Sequence, residues 1–269
     1  MPHGLKTMLD APVQANGRAQ GAATTTTVAW FGHATVLIEI DGVRLLTDPV
    51  LGRRVGPLVR VAPAAPAHGH LDAVLLSHLH ADHADLASLR RVARGTPILA
   101  PRGAAPWLER RALGPVNELD VGASVSFGEV RVEATDARHD GQRWRYGHRA
   151  GCVGFLVRGS TTVYFAGDTD LFPAMAELAG HVDVALLPVA GWGPSVGHGH
   201  LDAERAARAA SIIRPRVAIP IHWGTLALPA PLRRRAPDAG AEFAAHAARL
   251  APGVEVRVLH AGERTELAP

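Results

Sequence analysis

A chain of 269 residues with 47% apolar and 20% charged residues has room for one large α/β domain and the balance of a soluble globular protein. No apolar run approaches the roughly 20 residues that span a bilayer, and the N-terminus carries no apolar stretch of the secretory kind, so no membrane span and a cytoplasmic location are expected. The single cysteine, Cys152, excludes an internal disulfide framework, and a net charge of only +3 makes a weak case for nucleic acid, because the bases are scattered apart from clusters such as Arg233-Arg234-Arg235.

Residues 1–26 are polar and poorly patterned, which predicts a loosely ordered N-terminal tail ahead of a single domain at 27–269. Strands are predicted at Val28–Phe31 and Ala34–Ile40. Asp41-Gly42 is a hairpin turn signal, and Val43–Thr47 is the returning strand. Residues 49–70 carry four prolines, three glycines and three arginines and predict a long loop with little regular structure. Ala73–Leu76 is wholly apolar, as a strand covered on both faces would be. A helix at Asp85–Ala93, a strand at Pro97–Ala100, helix over 104–113 and a hairpin over Val121–Val132, turning near Gly128, follow.

The second half opens with strands at Cys152–Val157 and Thr161–Ala166. A helical stretch at Met175–Leu178, a buried strand at Val184–Pro188, a helix at Asp202–Ile213 and a strand at Val217–Ile221 come next. Residues 238–250 are Ala-rich and helical, and Val254–Leu259 is the last predicted strand. Strand-rich and β/α sections therefore alternate twice, which predicts two similar halves packed sheet to sheet with helices outside. The string His-Gly-His-Leu-Asp-Ala occurs at 68–73 and 198–203, but leads into a strand once and a helix once, so it is a chance match.

Fifteen histidines is a high count, and neutral imidazole is the commonest metal ligand. Ser77-His78-Leu79-His80-Ala81-Asp82-His83 is the strongest signal. His78 and His80 are two apart and share a side of an extended segment. Asp82 and His83 come after a turn and can face a second point in space. A capped, solvated helix start explains an Asp here, but not four such ligands directly after a buried strand. The cluster suits two neighbouring cations, with imidazole favouring zinc and the carboxylate admitting manganese or iron.

His78-Leu79-His80-Ala81-Asp82-His83 resembles the H-x-H-x-D-H signature of the metallo-β-lactamase superfamily. The resemblance implies a four-layered αβ/βα sandwich, two mixed sheets face to face with helices outside. It also implies further ligands: His139, favoured over His148, beside His78 and His80 on one metal; Asp168 as a bridge; and His222 beside Asp82 and His83 on the second. His200 is then a pocket residue, a proton donor or substrate contact. Trp30-Phe31-Gly32-His33-Ala34-Thr35-Val36, Leu46-Thr47-Asp48-Pro49 and His222-Trp223-Gly224-Thr225 are similar to the branch with N-acyl-phosphatidylethanolamine phospholipase D and the L-ascorbate-6-phosphate lactonases. The resemblance implies that Asp48 orients a metal-bound histidine; as plain sequence, a turn residue before Pro49 is nearly as good a reading. His33 lines the site or closes a strand.

The expected activity is metal-dependent hydrolysis of a phosphodiester, lactone or related ester in a small or lipid-like molecule. Two divalent ions, zinc ahead of manganese or iron, would hold a water and lower its pKa to about 7, with Asp82 and His200 as catalytic residues. Arg53, Arg54 and Arg60 are candidate phosphate contacts, and Trp144, Tyr146 and Trp192 candidate pocket walls. The alternatives are an RNA nuclease of the same fold, which would need a basic face, and a non-catalytic metal-binding protein, whose site would ordinarily be closed and cysteine-rich. A small-molecule substrate is the expected partner, without nucleic acid, and a homo-oligomer is left open.

Overall fold

The computed structural model describes residues 25–111, 113–143, 147–191, 196–230 and 238–268. Its first half runs β1 (Thr26–Gly32), β2 (Thr35–Ile40), β3 (Val43–Thr47), β4 (Arg54–Val55), β5 (Leu58–Arg60), β6 (Ala73–Leu75), α1 (Leu86–Val92), β7 (Ile98–Pro101), α2 (Ala105–Glu109) and β8 (Val116–Leu119). The second half runs β9 (Ser124–Phe127), β10 (Val130–Asp136), β11 (Val153–Arg158), β12 (Thr162–Phe165), a 3₁₀ helix (Pro173–Leu178), β13 (Val184–Pro188), α3 (Ala203–Ile213), β14 (Val217–Ile221), β15 (Leu226–Ala227), α4 (Ala239–Leu250), β16 (Glu255–Val256) and β17 (Arg264–Leu267).

Two seven-stranded sheets result, ordered β17-β1-β2-β3-β6-β7-β8 and β16-β14-β13-β12-β11-β10-β9. In the first, pairs from β17 to β3 are antiparallel and those from β3 to β8 parallel. The second repeats the scheme, antiparallel from β9 to β12 and parallel from β12 to β16. The two halves expected from the sequence are thus alike in strand polarity.

Side-chain alternation along the strands builds the layers. Val28 and Trp30 of β1 join Phe155, Phe165 and Ile219 in the core between the sheets. Ala29 and Phe31, the alternate residues, pack outward with Leu89 and Val92 of α1 and Trp107 of α2. On the far side, Tyr164 of β12 packs with Ala206 and Ala210 of α3 and Phe243 of α4. Both faces of both sheets are covered, giving the four-layered αβ/βα sandwich. Asp85, Asp202 and Asp238 cap α1, α3 and α4 through their side chains, a pattern that holds helix starts by about 1 kcal/mol each.

Four expectations need correction. Residues 49–70 are not structureless: β4 and β5 form a hairpin that pairs with β15 in a third, three-stranded sheet. The predicted terminal strand Val254–Leu259 shrinks to Glu255–Val256, and the chain ends instead on β17, which pairs with β1. β8 fills a stretch for which no element was expected. β1 also takes in Thr26, the last residue assigned to the tail. Among the described residues no helix is long and apolar enough to cross a membrane.

Candidate metal centre

Strand ends deliver the site. Asp48 follows β3, His78 follows β6, His139 follows β10, Asp168 follows β12 and His222 follows β14. All sit past the carboxyl ends of their strands, where open α/β sheets place ligands. The tight exits strain the backbone: His33, Asp48 and His222 are non-glycine residues with positive φ of 53°, 30° and 65°, a cost that concentrates at functional sites. Gly167, ahead of Asp168, has φ +61°, and a Cβ there would lie 2.7 Å from the Ser77 Cβ, so only glycine lets the two ligand segments approach.

The sequence-predicted residues come together in overlapping groups whose ligand atoms lie within 4.8 Å of one another: His78, His80 and His139; His33, Asp82, His83 and His222; and His139, Asp168 and His200. Hydrogen bonds fix which ring nitrogen faces inward. His83 Nδ1 donates to Asp48 Oδ2 at 2.7 Å, and His222 Nδ1 to the Ala190 carbonyl at 2.6 Å. His80 Nε2 donates to the Gln142 carbonyl at 3.0 Å, and His139 Nδ1 to the Gly199 carbonyl at 2.8 Å. Ser77 Oγ donates to Asp48 at 2.5 Å and so accepts from His78 Nδ1 at 2.9 Å.

With those donors committed, the remaining nitrogens of the neutral rings carry lone pairs, and they converge. His80 Nδ1 and His139 Nε2 are 3.0 Å apart. His83 Nε2 and His222 Nε2 are 3.1 Å apart, with Asp168 oxygens 3.1 and 3.2 Å from them. His78 Nε2 and Asp168 Oδ1 are buried without a hydrogen-bond partner. Orphaned buried acceptors cost about 1–3 kcal/mol each, and acceptors facing acceptors repel unless a cation lies between them. The donor set fits divalent transition metals, and the carbonyls and Asp48 behind it are what holds ligating imidazoles in one tautomer.

Electrostatics favour the neutral form for every converging ring but His83. Burial, and then the neighbouring imidazoles, hold His78 well below the usual histidine range. Burial lowers His80 and His222 as well, His139 to about 4 and His33 to about 3. Burial opposes ionisation of Asp82 and Asp168, but the surrounding histidines outweigh it and hold both carboxyls well below their usual range. Burial likewise opposes charge on His83, yet Asp168 and Asp48 raise it far above the ordinary value. The cluster favours a positive charge at His83 Nε2, whether a proton or a metal carries it.

His200 stands at the rim, its Nε2 3.4 Å from Asp168 Oδ2, and Asp168 raises its pKa against the opposing effect of burial. A cavity of about 360 Å³ opens there, lined by His80, Asp82, Asp168, His200 and His222 on one side and by Val55, Gly56, Pro57 and Leu58 of the β4–β5 hairpin on the other. His148 is not in the site and donates to the Gly103 carbonyl. Arg60 is a brace, not a phosphate contact: its guanidinium donates to the Phe31 and Val50 carbonyls. Arg53 and Arg54 are exposed. Trp144, Tyr146 and Trp192 lie outside the described residues.

Sequence reasoning missed Arg143. Its Nη1 donates to the carbonyls of Leu79 at 2.6 Å and Ala84 at 3.2 Å, bracketing the loop that carries His80, Asp82 and His83. Its guanidinium stacks 4.1 Å from the Trp107 ring, with Arg111 also stacked on that ring. It also lines the cavity. No motif marks it, because its role depends on Trp107 in another element.

The family model described as the beta-lactamase superfamily domain matches residues 43–223. This chain belongs to the metallo-β-lactamase superfamily. Within it, a Methanopyrus kandleri protein named a metal-dependent hydrolase is 30% identical over 246 residues, 89% of this chain and 99% of the relative. A Caenorhabditis elegans protein named N-acyl-phosphatidylethanolamine-hydrolyzing phospholipase D is 30% identical, over 73% of this chain and 63% of its own. The mycobacterial relatives at 31% identity are longer, and the chain spans 61% of their length. A metallo hydrolase from Ignicoccus hospitalis superposes with a TM-score of 0.68 over 91% of this chain and 99% of its own, at 24% identity. At that identity the superposition speaks for the superfamily fold.

Proposed function

We propose that the chain is a hydrolase with two divalent transition-metal ions, Zn²⁺ first and Mn²⁺ or Fe²⁺ as alternatives, acting on a phosphodiester, lactone or related ester in a small molecule. The observation that carries it is the pair of converging lone-pair sets, with Asp168 against both. His78, His80 and His139 would hold one ion, Asp82, His83 and His222 the other, and Asp168 would bridge. When bound, the ions supply Lewis acidity and acidify a water, to a pKa near 7 with zinc.

The protein's own groups do the rest. Asp82 fixes the direction of attack, and His200 at the rim delivers a proton to the departing group. The apolar hairpin tip at Val55–Leu58 packs the uncharged part of the substrate and keeps bulk water from the reacting centre. The phospholipase D name of the nematode relative supports testing phosphodiesters first.

The test is a panel of bis(p-nitrophenyl) phosphate, a lactone and a nitrocefin-type β-lactam. Chelator-sensitive turnover of one of the first two, abolished in Asp82→Ala with the fold intact, is expected. An active Asp82→Ala protein would sink the mechanism.

A further inference from the structure

His33 is held with unusual care for a turn residue. It follows Gly32, whose φ of +108° and missing side chain make room for Thr225, and it is itself left-handed at φ 53°. Its N–H donates to Thr225 Oγ1 at 2.7 Å. Its carbonyl accepts from both Trp30 Nε1 and the His222 backbone N–H, each at 2.8 Å. Three hydrogen bonds therefore fix a strained backbone, and Trp30 and Trp223 stack beside it at 5.4 Å. The consequence is a ring pressed against His222, centroids 3.9 Å apart, with Nε2 3.2 Å from Asp82 Oδ2.

We infer that His33 is a positioning residue that aims the Asp82 carboxylate and seats the His222 ring, tying together two proposed ligands from opposite halves of the fold. This rests on the two-ion reading above. A neutral imidazole donates one hydrogen to one Asp82 oxygen, which stops the carboxylate rotating. The 192 residues that separate His33 from Thr225 make the contact a clamp between the halves.

The variants are His33→Asn and His33→Gln. Asn, like His and Asp, is among the non-glycine residues that tolerate left-handed backbone, but its amide stops short of Asp82. Gln puts an amide N–H about where His Nε2 sits. Metal-free unfolding reports the fold, and zinc titration against a chromophoric chelator reports each ion's affinity. The expected result is a His33→Asn protein as stable as wild type that binds its second ion about 10- to 100-fold more weakly, with the first ion unchanged and Gln restoring the second. Unchanged affinity for both ions in the Asn variant would overturn the inference. Equal weakening in Asn and Gln would also overturn it, making His33 a direct ligand. If wild type itself binds fewer than two ions, the two-ion reading fails, and this inference with it.

Discussion

His83 and His222 face each other nitrogen to nitrogen, Nε2 to Nε2 at 3.1 Å, with the opposite ring nitrogens already donating to Asp48 and to the Ala190 carbonyl. With neither a proton nor a cation between them, each ring would present a lone pair to the other in a fully buried setting. One proton or one cation between them, with Asp168 alongside, relieves that conflict. A ligand that binds only the folded state stabilises it by about 2.7 kcal/mol at a hundredfold excess over its Kd. Zinc added to metal-stripped protein at that excess should raise Tm by about 5–10 °C, and magnesium by much less; scanning calorimetry reads both.

Asp48 sets the orientation of His83 and also accepts from the Ser77 N–H and hydroxyl. Asp48→Asn swaps one acceptor oxygen for a donor nitrogen, so His83 loses its fixed tautomer. Zinc affinity should fall about 10- to 100-fold. Asp48→Ala leaves buried donors unpaired at about 1–3 kcal/mol apiece, and its urea midpoint should drop accordingly.

Arg143 brackets the candidate ligand loop from outside the motif. Lys cannot bond two carbonyls from one planar group or stack on Trp107 in the same way. Arg143→Lys should cost about 1–3 kcal/mol in urea unfolding and weaken zinc binding as the loop loosens. A variant as stable as wild type with unchanged zinc affinity would show that the bracket is idle.

Acid should unfold the metal-free protein earlier than its carboxylates alone predict. His33 and His139, lowered by burial to about 3 and about 4, take up protons near pH 6.5 only when unfolded. The unfolded state then binds more protons, so stability is lost as pH falls from about 6.5 through 4. His78, His80 and His222, also lowered by burial, add to the loss. So do Asp82 and Asp168, where nearby histidines overcome burial. His83 and His200, raised by carboxylates despite burial, and Asp48, raised by burial, pull the other way. Urea midpoints between pH 7.5 and 4.5 should fall steadily, and a flat profile would contradict the burial of neutral imidazoles.

The parts legible in the sequence are those whose cause is local. His78 to His83 lie side by side in the chain, and β6, β12 and β14 are apolar runs followed by a candidate ligand. The parts that were not legible depend on distant partners. β4 and β5 are two and three residues long and exist by pairing with β15, far along the chain. β17, Arg264-Thr265-Glu266-Leu267, is mostly polar and is a strand because β1 offers it an edge. Arg143 and His33 look ordinary until Trp107 and Asp82 are beside them.

The most direct test of the central claim is metal content per chain, by elemental analysis of dialysed, zinc-reconstituted protein, for wild type and His80→Ala. Two ions in wild type, with one or fewer in the variant and the fold retained, is the predicted result. No bound metal in reconstituted wild type would contradict the account, since the converging lone pairs would then need another partner.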